Sequence, residues 1–375
     1  MSRVALAHDY FTQQGGAERV ALAMARAFPG APMFTTLYEP DLTFPEVGAL
    51  DVRVSPLNRW RVLRHHHRLA LPFLARSVSH MTVDADVLLA SSSGWAHGIR
   101  STGRKIVYCH APARWLYQGD RYSGADRELG WNANTRRRLI EGTVKILGPR
   151  LRSWDRAAAL TADRYLVNST VVARAVREVY GIAAEIVPPP PALMPAGPEI
   201  EWPGVTGEFV LCVARLLPYK NVDAVVRAAM ALDGPDLVIV GQGPDRGRLE
   251  SIANGSRRVH FAGRVDDDQL RWLYRNCSSL VAASYEDYGL SPLEAAGFGR
   301  PTVALHDGGF LDTVEPDRTG VFFESSTPDL IASAIEVARR RTWDADAICE
   351  HAQRFSEERF AARLRQVAED ELTRS

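Results

Sequence analysis

The chain is short of most features that would mark a membrane-spanning, secreted or nucleic-acid-binding protein. Its charges cancel: lysine plus arginine number 45, and so do aspartate plus glutamate. No global field draws it to nucleic acid, and no such partner is expected. It has only four cysteines, Cys109, Cys212, Cys277 and Cys349, far apart and without a CxxC pair. They read as buried free thiols in a reducing compartment rather than as a zinc site. No apolar run approaches the roughly 20 residues needed to span a bilayer. The opening "MSRVALAHDY" runs straight into His8 and Asp9, as a strand does and a signal peptide does not. The expectation is a cytoplasmic protein, with at most a peripheral contact at the inner membrane surface.

A nicotinamide fingerprint is missing as well. "VGQGPDRGR" (240–248) spaces its glycines G-x-G-x-x-x-G with Pro244 inside. At the end of the next strand, where a ribose-binding acid would stand, the chain reads Phe261, Ala262, Gly263. This argues against NAD. Gly241 and Gly243 either let a loop pass near a nucleotide or simply make a turn.

What is present is alternation. At 375 residues the chain fits two domains better than one. Short apolar runs such as "VALAHDY" (4–10), "DVLLASS" (86–92), "KIVYCHA" (105–111) and "RYLVNST" (164–170) alternate with segments of helical period, including a long one over roughly 130–163. That pattern implies parallel sheets with crossover helices. It breaks at "VPPPPALMPAGPEIEWPG" (187–204), whose seven prolines exclude a regular helix or an inner strand. Alternation then resumes with "FVLCVARL" (209–216), "DLVIVGQG" (236–243), "VHFAGRV" (259–265), "SLVAASYE" (279–286), "PTVALHD" (301–307) and "GVFF" (320–323). The expected fold is α/β, with two Rossmann-like doubly wound domains facing a cleft. Residues 1–190 would form the first, 191–207 a proline-rich linker, and 208–354 the second. Final helices are expected over about 328–341 and 345–373, with the stretch from about 355 to 375 packing back on the first domain.

Three places carry chemistry. In "YFTQQGGAERV" (10–20), Gly15 and Gly16 stand where a strand turns into a helix. Helix-start amides bind anions, and glycine lets a phosphate come close; a plain tight turn explains them equally well. In "ARLLPYKNVD" (214–223), Arg215 and Lys220 follow a buried strand. Two cations at a strand mouth can neutralise a diphosphate, where mid-helix ones would only solubilise. In "EDYGLSPLE" (286–294), Ser291, Pro292 and Glu294 match a helix N-cap, first position and third position. That capping box explains Glu294 structurally. It leaves Glu286, beyond a buried strand, pointing toward the same strand mouths. A ligand with hydroxyls at both ends and a diphosphate between, a nucleotide sugar, accounts for all of these.

These motifs, in order and at family spacing, resemble the retaining GT-B glycosyltransferases of family 4. The likeness extends over essentially the whole chain and is best in "ARLLPYKNVD", "VGQGP", "FAGRVDDDQLRWLY" and "EDYGLSPLEAAGFGRPTVA". Within the family, "LLPYK" and "CHAPARWLY" (109–117) look most like members that use GDP-mannose. The resemblance implies that Glu286 holds donor-sugar hydroxyls and Glu294 the ribose. It implies that Arg215 and Lys220 hold the diphosphate and stabilise the leaving group, with Gly241 and Gly243 nearby. Gly289, Leu290 and Ser291 would complete the donor loop, Val265 and Asp266 would frame the base, and Gly15 with Gly16 would approach the phosphate. His110 would lie near the reaction centre; without the resemblance it reads as a histidine buried at a strand end. No DxD motif stands at a strand end in the first half, so no metal is expected, and no cofactor beyond the nucleotide-sugar co-substrate.

The acceptor is expected to be a sugar or lipid-linked glycan. "LNRWRVLRHHHRLALPFLARSV" (57–78) interleaves arginines and three consecutive histidines with Trp60, Leu63, Leu69, Leu71, Phe73 and Leu74. It reads either as a helix packing its apolar side on a sheet, or as a basic segment for an anionic membrane surface. Pro72 breaks or kinks any single helix there. Rival readings are a UDP-sugar transferase of the same fold, a nucleotide-sugar epimerase built on two similar domains, and a binding protein that has lost catalysis.

Overall fold

The computed structural model describes residues 3–117 and 147–374. It divides into two compact units. Of the described residues, one holds those before Pro191 together with those from Glu357 onward; the other spans Pro191–Ser356.

The first unit is built on a seven-stranded sheet. Its strands are β1 (Val4–His8), β2 (Met33–Thr35), β3 (Val52–Val54), β4 (Val87–Ser92), β5 (Arg104–Cys109), β6 (Arg164–Val167) and β7 (Glu185–Ile186). They lie in the order β3-β2-β1-β4-β5-β6-β7, every pair parallel. Leu6 sits between Met33 and Leu89 in register. A parallel sheet is covered on both faces, so its inner strands carry continuous apolar runs and still obey a period of two. Ala5, Ala7, Leu88, Ala90 and Val107 enter one core with Leu74, Val78, Val172 and Val176. Leu6, Val87, Leu89, Ile106 and Tyr108 enter the other, with Val20, Met24, Phe360, Leu364 and Val367.

The last three of those residues lie on the helix Glu357–Thr373. The single helix expected over 345–373 is two: Ala345–Gln353 in the second unit and Glu357–Thr373 in the first. The run Ser356-Glu357-Glu358 is a helix-start signal, with acids at the positive end of the dipole. Arg26 pairs with Glu357, and Arg363 with Glu185, so the returning helix is held by charge as well as by core. The helix expected over 130–163 lies partly outside the described residues; within them, 147–159 are helical.

The second unit has a six-stranded sheet: β8 (Phe209–Val213), β9 (Asp236–Val240), β10 (Val259–Gly263), β11 (Ser279–Ala282), β12 (Thr302–Leu305) and β13 (Gly320–Phe323). Its order is β10-β9-β8-β11-β12-β13, again all parallel. Val210, Cys212, Leu237 and Ile239 pack on one face; Phe209, Leu211, Val238 and Val240 pack on the other. Residues 191–207 contain neither helix nor strand. They are pinned to this unit by buried Leu193 and Val205 and by Arg275, whose Nε donates to Glu199 at 2.6 Å.

The basic segment 57–78 is not one amphipathic helix. It is a series of short turns, Pro56–Arg59, Arg61–His65 and His67–Ala70, followed by the helix Leu71–Ser79 with Pro72 in its first turn. Leu71, Leu74 and Val78 are buried in the core, while Trp60, Val62 and Phe73 are 56%, 62% and 55% exposed. Among the described residues no helix is long and apolar enough to cross a membrane.

Candidate functional site

In the second unit the sheet order reverses between β8 and β11. The chain leaves β8 toward β9 and β10, then returns to the other side at β11. Crossover helices must diverge there, which opens a crevice at the strands' carboxyl ends. A pocket of about 300 Å³, counted to its open mouth, lies at that point. It is lined by the ends of β8 and β11 and by Lys220, Ser284, Glu286, Ser291 and Phe310.

Lys220 and Glu286, 66 residues apart in sequence, meet here as an ion pair. The Ser284 hydroxyl donates to the same oxygen of Glu286, Oε1, at 2.6 Å. Lys220 closes a 3-10 turn, Pro218–Lys220, and Asn221 behind it takes a left-handed conformation, φ 54°. The Asn221 side-chain amide donates to the Ala283 carbonyl at 3.0 Å, tying the Lys220 loop to the end of β11. Cys212 also lines the pocket, but burial pushes its thiol up to about 12, so it stays protonated.

The other expected donor residues fall into different places. Arg215 follows β8, is exposed, and does not line the pocket. Gly241 and Gly243 serve the backbone: a Cβ at either would come within 1.9 Å of the Ala214 carbonyl oxygen or 2.1 Å of that of Leu216. They let the segment carrying Arg215 lie directly against the end of β9, where Leu216 N–H donates to Gln242 at 3.0 Å. Val265 packs against the core, and the Asp266 carboxylate caps the helix Asp267–Asn276 by accepting from Gln269 N–H at 2.8 Å. Neither lines the pocket.

The capping box at 291–294 does not form. The helix is Leu290–Gly297; its cap is Gly289, at φ 92°, with no side-chain hydrogen bond. Ser291 and Glu294 are therefore both inside the helix, Ser291 toward the pocket. Glu294 is buried and accepts from the Tyr274 hydroxyl at 2.7 Å. Leu290 packs with Tyr288, Leu293 and Phe355. A left-handed glycine displaced the cap because any Cβ at 289 would strike the Phe310 ring at 2.6 Å.

Sequence reading passed over Ser284 and the pair Gly308-Gly309. Gly309 N–H donates to the Glu286 carbonyl at 2.7 Å, and a Cβ on Gly308 would lie 2.4 Å from that same oxygen. The signal was there: a double glycine directly after β12, at the strands' carboxyl ends.

The first unit has its own reversal, between β1 and β4. His8 ends β1, and its Nδ1 lies 2.9 Å from Ser91 Oγ; the His110 Nε2 lies 2.8 Å from the same hydroxyl. A neutral imidazole carries one N–H, so the single serine proton can serve one ring while its lone pair accepts from the other. His110 is neutral: burial, then the neighbouring His8 ring and Arg114 guanidinium, lower its pKa to about 3. Behind His8 stands Glu18, buried, with Gln13 donating to Oε1 at 2.9 Å. Burial works against its charge, yet the His8 ring and the Gln13 amide outweigh it and hold the carboxyl below the usual range. Asp9 is spent locally, accepting from the backbone N–H groups of Ser93, Trp95 and Ala96 at 2.6, 3.1 and 2.6 Å. The helix Gly16–Ala27 starts at Gly15, in extended conformation and without a cap hydrogen bond from that residue.

Two family models match the chain. Residues 14–190 match the model described as Glycosyltransferase Family 4, and residues 203–358 the model described as Glycosyl transferases group 1. The chain belongs to glycosyltransferase family 4. Its fold is GT-B. Among curated relatives of this family member is the D-rhamnosyltransferase WbpZ of Pseudomonas aeruginosa, 30% identical over 223 residues, 56% of this chain and 55% of that protein. Another is a GDP-mannose-dependent alpha-(1-6)-phosphatidylinositol monomannoside mannosyltransferase of Mycobacterium tuberculosis, 32% identical over 141 residues, 34% of this chain and 37% of that one. The matches thus span between about a third and just over half of these relatives' length. Among solved structures, Anabaena HepE in complex with UDP and glucose superposes with a TM-score of 0.68 at 15% identity, covering 98% of this chain and 99% of that one. At that identity the likeness is one of fold.

Proposed function

We propose that this family 4 member is a hexosyltransferase that moves mannose from GDP-mannose to a sugar or lipid-linked glycan, with retention of anomeric configuration. The observation that carries the reading is Lys220 beside Glu286 in the switch-point pocket. A cation for a diphosphate and a carboxylate for sugar hydroxyls stand side by side, as a nucleotide sugar requires. The main task in such a transfer is stabilising negative charge on the departing nucleoside diphosphate. Lys220 and Arg215 are assigned that task, without a metal, and Glu294 the ribose. Gly15, Gly16 and a neutral His110 keep the parts the family resemblance implies, as do Gly289, Leu290 and Ser291. GDP-mannose is supported by the likeness to the mycobacterial enzyme, whose name specifies that donor. A UDP-sugar is the second reading, supported by HepE, solved with UDP and glucose.

Calorimetric titration of GDP, UDP, ADP and NAD into the purified chain, with chelator present, tests this. GDP alone should bind. Preference for UDP keeps the transfer and replaces the donor; binding of NAD alone, or of none, overturns the reading. Consumption of donor without any acceptor would favour an epimerase instead.

For the acceptor side we assign the exposed Trp60, Val62 and Phe73, with the arginines around them, to an anionic membrane surface. Apolar side chains flanked by cations suit such an interface. Binding should require anionic lipid and weaken as salt rises. Equal sedimentation with neutral vesicles, or none with either, would defeat it.

A further inference from the structure

The ion pair between Lys220 and Glu286 does more than bring two binding groups together. Each neutralises the other. Both are sheltered, with side chains 13% and 28% exposed, so neither charge is well solvated once its partner leaves. The Ser284 hydroxyl holds the paired oxygen of Glu286, and Gly309 N–H holds its carbonyl, so the carboxylate stays at the pocket when the pair opens. Asn221 likewise ties the Lys220 loop to Ala283.

A diphosphate that takes Lys220 competes with Glu286 for the ammonium and weakens this pair. A bare nucleoside diphosphate then leaves Glu286 with only the Ser284 hydroxyl and facing a second anion. A nucleotide sugar does not: its phosphates take the lysine, and its sugar hydroxyls donate to the carboxylate. We infer that the Lys220–Glu286 pair makes the pocket select nucleotide sugar over free nucleoside diphosphate. When the sugar has been transferred, Glu286 loses its hydroxyl donors and recaptures Lys220, and the spent nucleotide is released. This rests on the reading above that a nucleotide sugar occupies this pocket. It adds that the closed pair is a competitor with a defined sign of effect.

The test is titration of GDP, GDP-mannose, UDP and UDP-glucose, without acceptor, into the wild-type chain and into Glu286→Gln and Glu286→Ala. Wild type should bind the sugar nucleotide of its preferred base about tenfold or more tightly than the matching diphosphate. Removing the carboxylate charge frees Lys220. Both variants should then bind the diphosphate about tenfold more tightly than wild type and the sugar nucleotide more weakly, so that the preference inverts. The alanine variant shows whether the gain comes from lost charge or from a new amide donor. Cooperative thermal melts establish that the variants fold. If wild type binds nucleotides but the diphosphate affinity of both variants stays the same or falls, the competition is overturned while the donor-site reading stands. If wild type binds none of the four, both fall together.

Discussion

Replacing Glu286 by alanine is expected to lower sugar transfer about a hundred- to a thousandfold. Hydrogen bonds to a charged group contribute roughly 1.5–3 kcal/mol each, and a carboxylate can accept two from neighbouring hydroxyls. The variant also leaves Lys220 and the Ser284 hydroxyl without their partner. Leaving the sheltered Lys220 unpaired also costs some stability, so the loss of turnover must be read beside a melt. Transfer of radiolabelled sugar, followed alongside a thermal melt, separates the two. Near-normal transfer would remove Glu286 from the donor site.

Gly308→Ala is expected to damage both stability and the site. Gly308 sits at φ +67°, where a Cβ costs roughly 1–2 kcal/mol. That Cβ would also lie 2.4 Å from the Glu286 carbonyl oxygen and 3.2 Å from its amide nitrogen. Backbone cannot yield as a flexible side chain can, so overpacking adds about 1–3 kcal/mol. The thermal midpoint should fall by about 10 °C, and nucleotide-sugar affinity should drop because the Glu286 loop is displaced. Gly255→Ala is the control. Its φ is +70° with nothing within 4 Å of the added Cβ, so it bears the backbone cost alone. Equal melts for the two variants would show that the clash is relieved elsewhere.

The strands that sequence made legible are the longer ones with continuous apolar runs. "VLLASS" and "FVLCV" announce burial on both faces, which only a covered parallel sheet provides. Met33–Thr35, Val52–Val54 and Glu185–Ile186 were not legible. Two or three residues carry no period, and these strands exist because a neighbour offers a ladder. The site was legible in a similar measure. Lys220 and Glu286 could be named because each follows a buried strand at its carboxyl end. That they touch could not be read, since 66 residues and a reversal of strand order lie between them. Glu294 shows the opposite failure. Ser-Pro-Leu-Glu has the local pattern of a cap, yet Gly289 starts the helix and Tyr274, twenty residues upstream, takes the carboxylate. The Phe310 ring behind Gly289, which local propensity cannot see, decided that.

Sequence by itself determined the class of fold, the order of its elements and the loops that bear the chemistry. Those follow from periodicity and from the conformations that glycine and proline allow, both local quantities. The tertiary structure alone decided which charges neutralise one another. It made Glu286 a partner of Lys220, His110 a neutral ring on Ser91, and Gly241 and Gly243 spacers for a neighbouring loop. It also supplied the core contacts that hold the helix Glu357–Thr373, expected to return, in the first unit. Each of these depends on distances between residues remote in the chain, and on the water removed when their elements pack.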